Sequence, residues 1–198
     1  MRILCMGDSM TYGDLVGRGE NWVSLVSRET EHDLINAGVN GASTDDMRRR
    51  MPKAIEREHP DVVMVMGGAN DILQGADILH PLTNIAEMAV TIRNHSLFPV
   101  IGLPAPFSPE DPGLLGVAWP QLDAAAETLR QKYAHALRTL CTEQGYLAVD
   151  INSELPRLIR QRGERVSLFY MDGVHLTAAG HRLCADIVIN AFNALLTK

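Results

Sequence analysis

At 198 residues, 46% hydrophobic and 21% charged, the chain has the length and balance of one globular domain, which excludes a disordered chain and a fibrous repeat. Lys and Arg number 18 against 24 Asp and Glu, a net charge of -6, and the only basic block, Arg48-Arg49-Arg50, is too short to make nucleic acid the main partner. No apolar run reaches the ~18 residues of a membrane span or forms the core of a signal peptide, and Cys5, Cys141 and Cys184, an odd number without metal-ligand spacing, read as buried reduced thiols of a cytoplasmic protein.

Short apolar runs bounded by turn residues predict strands at Arg2 to Met6, Asp33 to Ala37, Asp61 to Met66, Pro99 to Leu103 and Tyr146 to Asp150. Helical spacing is distinct in three of the stretches between and after them. One helix starts at Ser43 or Thr44, carries Met47, Met51 and Ile55 four apart, and ends near Glu58 before His59-Pro60. The second, Gln121 to Gln144, aligns Leu122, Ala126, Leu129, Tyr133, Leu137 and Leu140 and stops at Gly145. The third is capped by Thr177, runs to about Leu196, and has a stripe of Leu183, Ile187, Ala191 and Leu195. Alternating strands and helices imply right-handed crossovers and a three-layer α/β/α domain, flavodoxin-like, around a five-stranded parallel sheet.

Pro104 to Pro120 holds five of the ten prolines together with Phe107, Leu114, Leu115, Val117 and Trp119. It follows the fourth strand, at the sheet edge where open parallel sheets bind ligands. Leu114, Leu115 and Trp119 therefore either wall a substrate pocket or seal the core beneath the segment.

Four motifs fall at strand ends or before a helix. Gly7-Asp8-Ser9 puts a serine hydroxyl on the turn after the first strand, where a nucleophile belongs, although Gly-Asp-Ser is also a common turn. Gly38-Val39-Asn40-Gly41 lets backbone N–H groups approach a ligand. Gly68-Ala69-Asn70-Asp71 either aims an amide at a developing oxyanion or caps the next helix. Asp172-Gly173-Val174-His175 sets a carboxylate and an imidazole three residues apart across a turn, the spacing of a base and its orienter. Among the other histidines, His32, His59, His80, His95 and His135 read as surface residues, and His181, without an adjacent acid, is the second choice for a base.

Taken jointly, these motifs resemble those of the SGNH hydrolases, also called the GDSL esterase/lipase family, over nearly the whole chain, from Gly7-Asp8-Ser9-Met10-Thr11-Tyr12-Gly13 to Asp172-Gly173-Val174-His175-Leu176-Thr177. The resemblance implies that Ser9 is the nucleophile and, through its N–H, one oxyanion donor. Gly41 is the second donor and Asn70 the third, with His175 as base and Asp172 as its partner. Met10 stands where leucine is usual and Ala69 where threonine is common; neither change touches a reacting atom. The implied reaction is two-step acyl transfer on a small-molecule ester, with no metal or cofactor, and with activity rising as histidine titrates near pH ~6 to 7. A lipid, aryl or thioester substrate and a sugar O-acetyl ester are both open. Two other classes remain: a flavodoxin-like binding module, which has no need of the Asp172 and His175 pair, and a phosphohydrolase built on Asp8, which lacks a phosphate loop and further acids at metal spacing.

Overall fold

Five parallel strands pair in the order β2-β1-β3-β4-β5: β1 (Arg2–Gly7), β2 (Asp33–Gly38), β3 (Val62–Met66), β4 (Phe98–Leu103) and β5 (Leu147–Asp150). The computed structural model describes residues 1–111, 113–116 and 119–196, with side chains as far as 194. Val117 and the side chain of Leu195, both singled out above, lie outside the described residues. After β1 come a single turn, α1 (Ser9–Tyr12), and α2 (Trp22–Glu29); after β2 comes α3 (Thr44–Glu58). β3 leads into α4 (Ala69–Leu73) and α5 (Leu79–Asn94), β4 into α6 (Ala124–Gln144), and β5 directly into α7 (Ile151–Arg162). The last helix is α8 (Ala178–Leu196).

The alternation of side chains along a strand divides the core into two layers. Ile3 and Cys5 of β1 and Val62, Met64 and Met66 of β3 pack with α2, α7 and α8. Leu4, Met6, Val63 and Val65 face the other way, onto α3, α5 and α6. Both faces are covered, so β1 and β3 read as unbroken apolar runs rather than as alternating ones. The stripe read on α3 is buried in full at Met47, Met51 and Ile55, each contributing roughly 1.5 to 3 kcal/mol by leaving water. Ser43 caps that helix in a reciprocal capping box with Asp46, and the Thr177 hydroxyl accepts the Gly180 N–H at the start of α8.

The three-layer α/β/α architecture expected from the sequence is the one observed, with shifts at element ends. Asp61 precedes β3 because its carboxylate accepts the Arg2 backbone N–H, and Asp123 caps α6, which leaves Gln121 and Leu122 in the preceding segment. Leu122 lies in a turn there, its N–H donating to the Trp119 carbonyl. The three cysteines are buried and unpaired, and burial pushes all three thiols up, Cys141 to about 11 and Cys184 to about 12. Among the described residues no helix is long and apolar enough to cross a membrane.

The strand order reverses direction at β1: its successor in sequence lies on one side and β3 on the other. Loops leaving β1 and β3 therefore diverge, and a crevice opens at their carboxyl ends. Gly38 lets β2 end in direct contact with α1, because a Cβ there would stand 2.1 Å from the Tyr12 backbone nitrogen.

Candidate active site

Ser9 is the first residue of α1, and the turn that carries it is fixed from several sides. The Asp8 carboxylate accepts the Met10 N–H as N-cap, and the helix stops after one turn at Gly13. The Trp22 indole, fully buried, donates to the Met10 carbonyl at 3.1 Å, and the Trp22 backbone N–H donates to His181 Nδ1 at 3.3 Å. His181 thus acts as an acceptor inside the protein, and burial, with the charge of His175 adding, lowers its pKa to about 4. Asp8 is 3% exposed and turned into the helix start; burial lifts its carboxyl to about 6. It does not line the cleft described below, which leaves the phosphohydrolase reading without its nucleophile.

His175 Nε2 stands 2.9 Å from Ser9 Oγ, and His175 Nδ1 stands 2.7 Å from Asp172 Oδ2. With Nδ1 donating to the carboxylate, Nε2 is the acceptor and the serine hydroxyl the donor. Asp172 Oδ1 accepts the backbone N–H groups of Val174 and His175, at 3.0 and 2.7 Å. Burial works against the Asp172 charge, but the His175 ring and backbone N–H and the Trp119 indole outweigh it and bring the carboxyl down to about 2. For His175 burial pulls the pKa down, while the hydrogen bond and charge of Asp172, with Asp14 and Asp8 behind, pull harder, and the net shift is upward.

Gly41 and Asn70, the other two residues expected as oxyanion donors, follow β2 and β3. Gly41 has φ +72, a conformation L side chains rarely adopt, and its N–H donates to no backbone carbonyl among the described residues. Asn70 Nδ2 donates to the Ala42 carbonyl at 3.0 Å, which ties the Gly41 turn to α4 and leaves the second amide hydrogen to give. The alternative of a helix cap fails for this pair: α4 has no side-chain cap, and Asp71 instead reaches the start of α3, accepting both the N–H and the hydroxyl of Thr44.

Ser9, His175, Asp172, Gly41 and Asn70 line one cleft of about 600 Å³. Of the three loop residues singled out in the sequence, Leu115 and Trp119 line it too, whereas Leu114 is exposed and does not. Asp14, Leu15 and Asn40 complete the walls. Leu15 went unread in the sequence because it reaches the cleft through a left-handed backbone, φ +65, that no pattern announces. A groove of similar size between α5 and α6, past Leu82, Val90 and Leu140, contains none of these groups.

Residues 5–183 match the model of the GDSL-like lipase/acylhydrolase family. The chain belongs to that family. An arylesterase of Vibrio mimicus is 29% identical over 98 residues, 47% of this chain and 49% of that protein. Esterase TesA of Pseudomonas aeruginosa is 26% identical over 96 residues, 46% of this chain and 48% of that protein. The matched part thus spans about half the length of each curated relative. A solved structure of a lipolytic G-D-S-L protein from Veillonella parvula superposes with a TM-score of 0.81 at 23% identity, covering 98% of both chains, a likeness of fold. In this GDSL-like chain, Gly7-Asp8-Ser9 and the Asp172 to His175 turn close the two ends of one hydrogen-bonded line.

Proposed function

We propose that this chain is a serine esterase that hydrolyses carboxylic esters through an acyl-enzyme. The observation that carries the reading is the unbroken line from Ser9 Oγ through both nitrogens of His175 to Asp172, opening on a cleft with an apolar side. His175 Nε2 takes the hydroxyl proton as Ser9 Oγ bonds to the carbonyl carbon, and Asp172 holds the imidazolium that forms. The oxyanion meets the N–H groups of Ser9 and Gly41 and the Asn70 amide. Collapse breaks the bond to the alcohol, which leaves with the proton from His175. A water molecule then attacks the acyl-enzyme, giving its proton to His175, and the acid departs as Ser9 Oγ takes that proton back. The reaction as written draws on no metal or cofactor.

Leu15, Leu115 and Trp119 favour an apolar acyl or aryl ester, and the name of one curated relative, an arylesterase, agrees with that class. Asp14 and Asn40 on the same cleft keep a second reading, a sugar O-acetyl ester whose hydroxyls they would bond. A chain-length series of p-nitrophenyl esters run beside acetylated sugars decides between them. For the mechanism, a fluorophosphonate should transfer its phosphonyl group to the peptide containing Ser9, with fluoride leaving, and Ser9→Ala should lose up to roughly 10⁶ of the turnover by analogy with serine hydrolases. Activity above a tenth of wild type in purified Ser9→Ala would overturn the assignment.

A further inference from the structure

We infer that Trp119 is a positioning residue for Asp172: beyond walling the cleft, its indole N–H fixes the carboxylate oxygen that orients His175. The inference rests on the esterase reading for its consequence and on the geometry alone for its substance. Trp119 Nε1 donates to Asp172 Oδ2 at 3.0 Å, onto the same oxygen that takes the His175 Nδ1–H. Because Oδ1 is already held by two backbone N–H groups, the Trp119 bond and the His175 bond are the two that set Oδ2. The indole lies beside the pair, its ring centroid 5.8 Å from that of His175 and tilted by 50°.

The backbone around the two residues is built to keep donor and acceptor together. On one side of Asp172 the Leu114 and Leu115 N–H groups donate to the carbonyls of Tyr170 and Met171; on the other the Ser108 N–H donates to Gly173. The segment that carries Trp119 is therefore fastened to the segment that carries Asp172 on both flanks. Trp119 is 38% exposed, so its place in the structure does not depend on burial of its ring alone. Whatever packs on the face of this indole in the cleft also bears on the carboxylate behind it.

The sign of the effect follows from charge. An N–H given to Oδ2 disperses the negative charge of Asp172; without it, His175 feels more of that charge and holds its proton to higher pH. The charged and titratable groups around His175 are Asp172, Asp14, Asp8 and His181, and none of the other three takes over the indole's contact.

The test is Trp119→Phe, which keeps an aromatic wall and removes the donor. For p-nitrophenyl acetate, kcat should fall about tenfold, the lower end of what a hydrogen bond to a charged group carries, with KM unchanged. The His175 pKa, read from its ring resonances by NMR, should rise. A wild-type kcat and an unmoved His175 pKa, with only the KM of longer esters altered, would reduce Trp119 to a wall. A readout independent of activity separates this idea from the esterase reading: the chain has two tryptophans, and the indole N–H resonance of Trp119 should move upfield in Asp172→Ala while that of Trp22 stays. No movement would overturn the inference even in an active esterase, and movement together with a raised His175 pKa in Trp119→Phe would uphold it even if no ester were cleaved.

Discussion

Asn70 spends one amide hydrogen on the Ala42 carbonyl and keeps the other, so a single side chain both shapes the Gly41 turn and faces the place where negative charge would develop. Charge present only in the transition state acts on kcat, and Asn70→Ala should lower kcat by roughly 10² to 10³ with little change in KM. Steady-state kinetics on a short ester check this; a loss confined to KM would assign Asn70 to holding the substrate in its ground state. The proton inventory gives a second expectation. The His175 pKa is raised, and the proposed reaction needs the neutral ring, so kcat/KM should climb with pH through a midpoint above the ordinary histidine value of 6.5, higher than histidine chemistry alone suggests. A profile already flat at pH 6 would contradict it. At this scale the Asp172 and His175 spacing was legible because a turn forces i and i+3 together, and the loop residue Leu115 because apolar side chains at a strand's carboxyl edge need a partner. Trp22 and His181 were not, since the bond between them links residues 159 apart and carries no local pattern.

Among the elements, the segment between β4 and α6 divides its apolar residues by task. Phe107 and Leu122 are 6% and 8% exposed and seal the core, whereas Leu115 and Trp119, far more open, stand on the cleft. Arg130 of α6, buried and paired with Glu127, fastens the near end by donating to the Pro104 carbonyl, while Glu127 accepts the Phe107 N–H. Leu115→Ala should therefore shift the preferred acyl length and leave the melting temperature almost unchanged. Phe107→Ala should cost roughly 3 to 5 kcal/mol and leave the length profile alone. Thermal melts beside an ester series test both halves, and a destabilised Leu115→Ala with an unaltered profile would contradict the division. Of Leu114, Leu115 and Trp119, read in the sequence as either pocket wall or core seal, the last two line the cleft and Leu114, exposed, does neither; the sealing falls to Phe107 and Leu122 instead. Composition could not separate them, because the same apolar residue types serve either end. The unannounced helices have similar reasons: α7 follows β5 without a loop, Asp150 ending the strand and capping the helix, and α5 carries Pro81 in its first turn.

For the molecule as a whole, two buried groups set opposing slopes of stability with pH. His181 has its folded pKa lowered to about 4, so below 6.5 the unfolded chain binds a proton that the folded one refuses, and stability falls as pH drops through that window. Asp8, raised to about 6, does the reverse: its buried carboxyl is better tolerated protonated, and stability rises as pH falls from about 6 toward 3.8. His181→Gln, which keeps an acceptor for the Trp22 N–H, removes the first slope and leaves the second. Its urea midpoint should therefore gain on wild type between pH 7.5 and pH 4.5, and parallel midpoints would show that His181 does not titrate in unfolding. The architecture was legible at this scale because five apolar runs with helical stretches between them admit few arrangements once crossovers are right-handed. Strand order decided where the cleft opens, and pairing between strands distant in the chain is not written in any one of them.

The bond between Ser9 and His175 joins residues 166 apart. On a ribosome adding roughly 5 to 20 residues per second, the serine is made with β1 and then waits on the order of ten seconds or more before its hydrogen-bond partner His175 is even synthesised. Until then it is an ordinary alcohol, so on the proposed mechanism a nascent chain carries the attacking group without the means to use it. Chemistry at this serine is among the last properties the growing polypeptide acquires, and its return during refolding is a direct clock for the docking of the segment before α8.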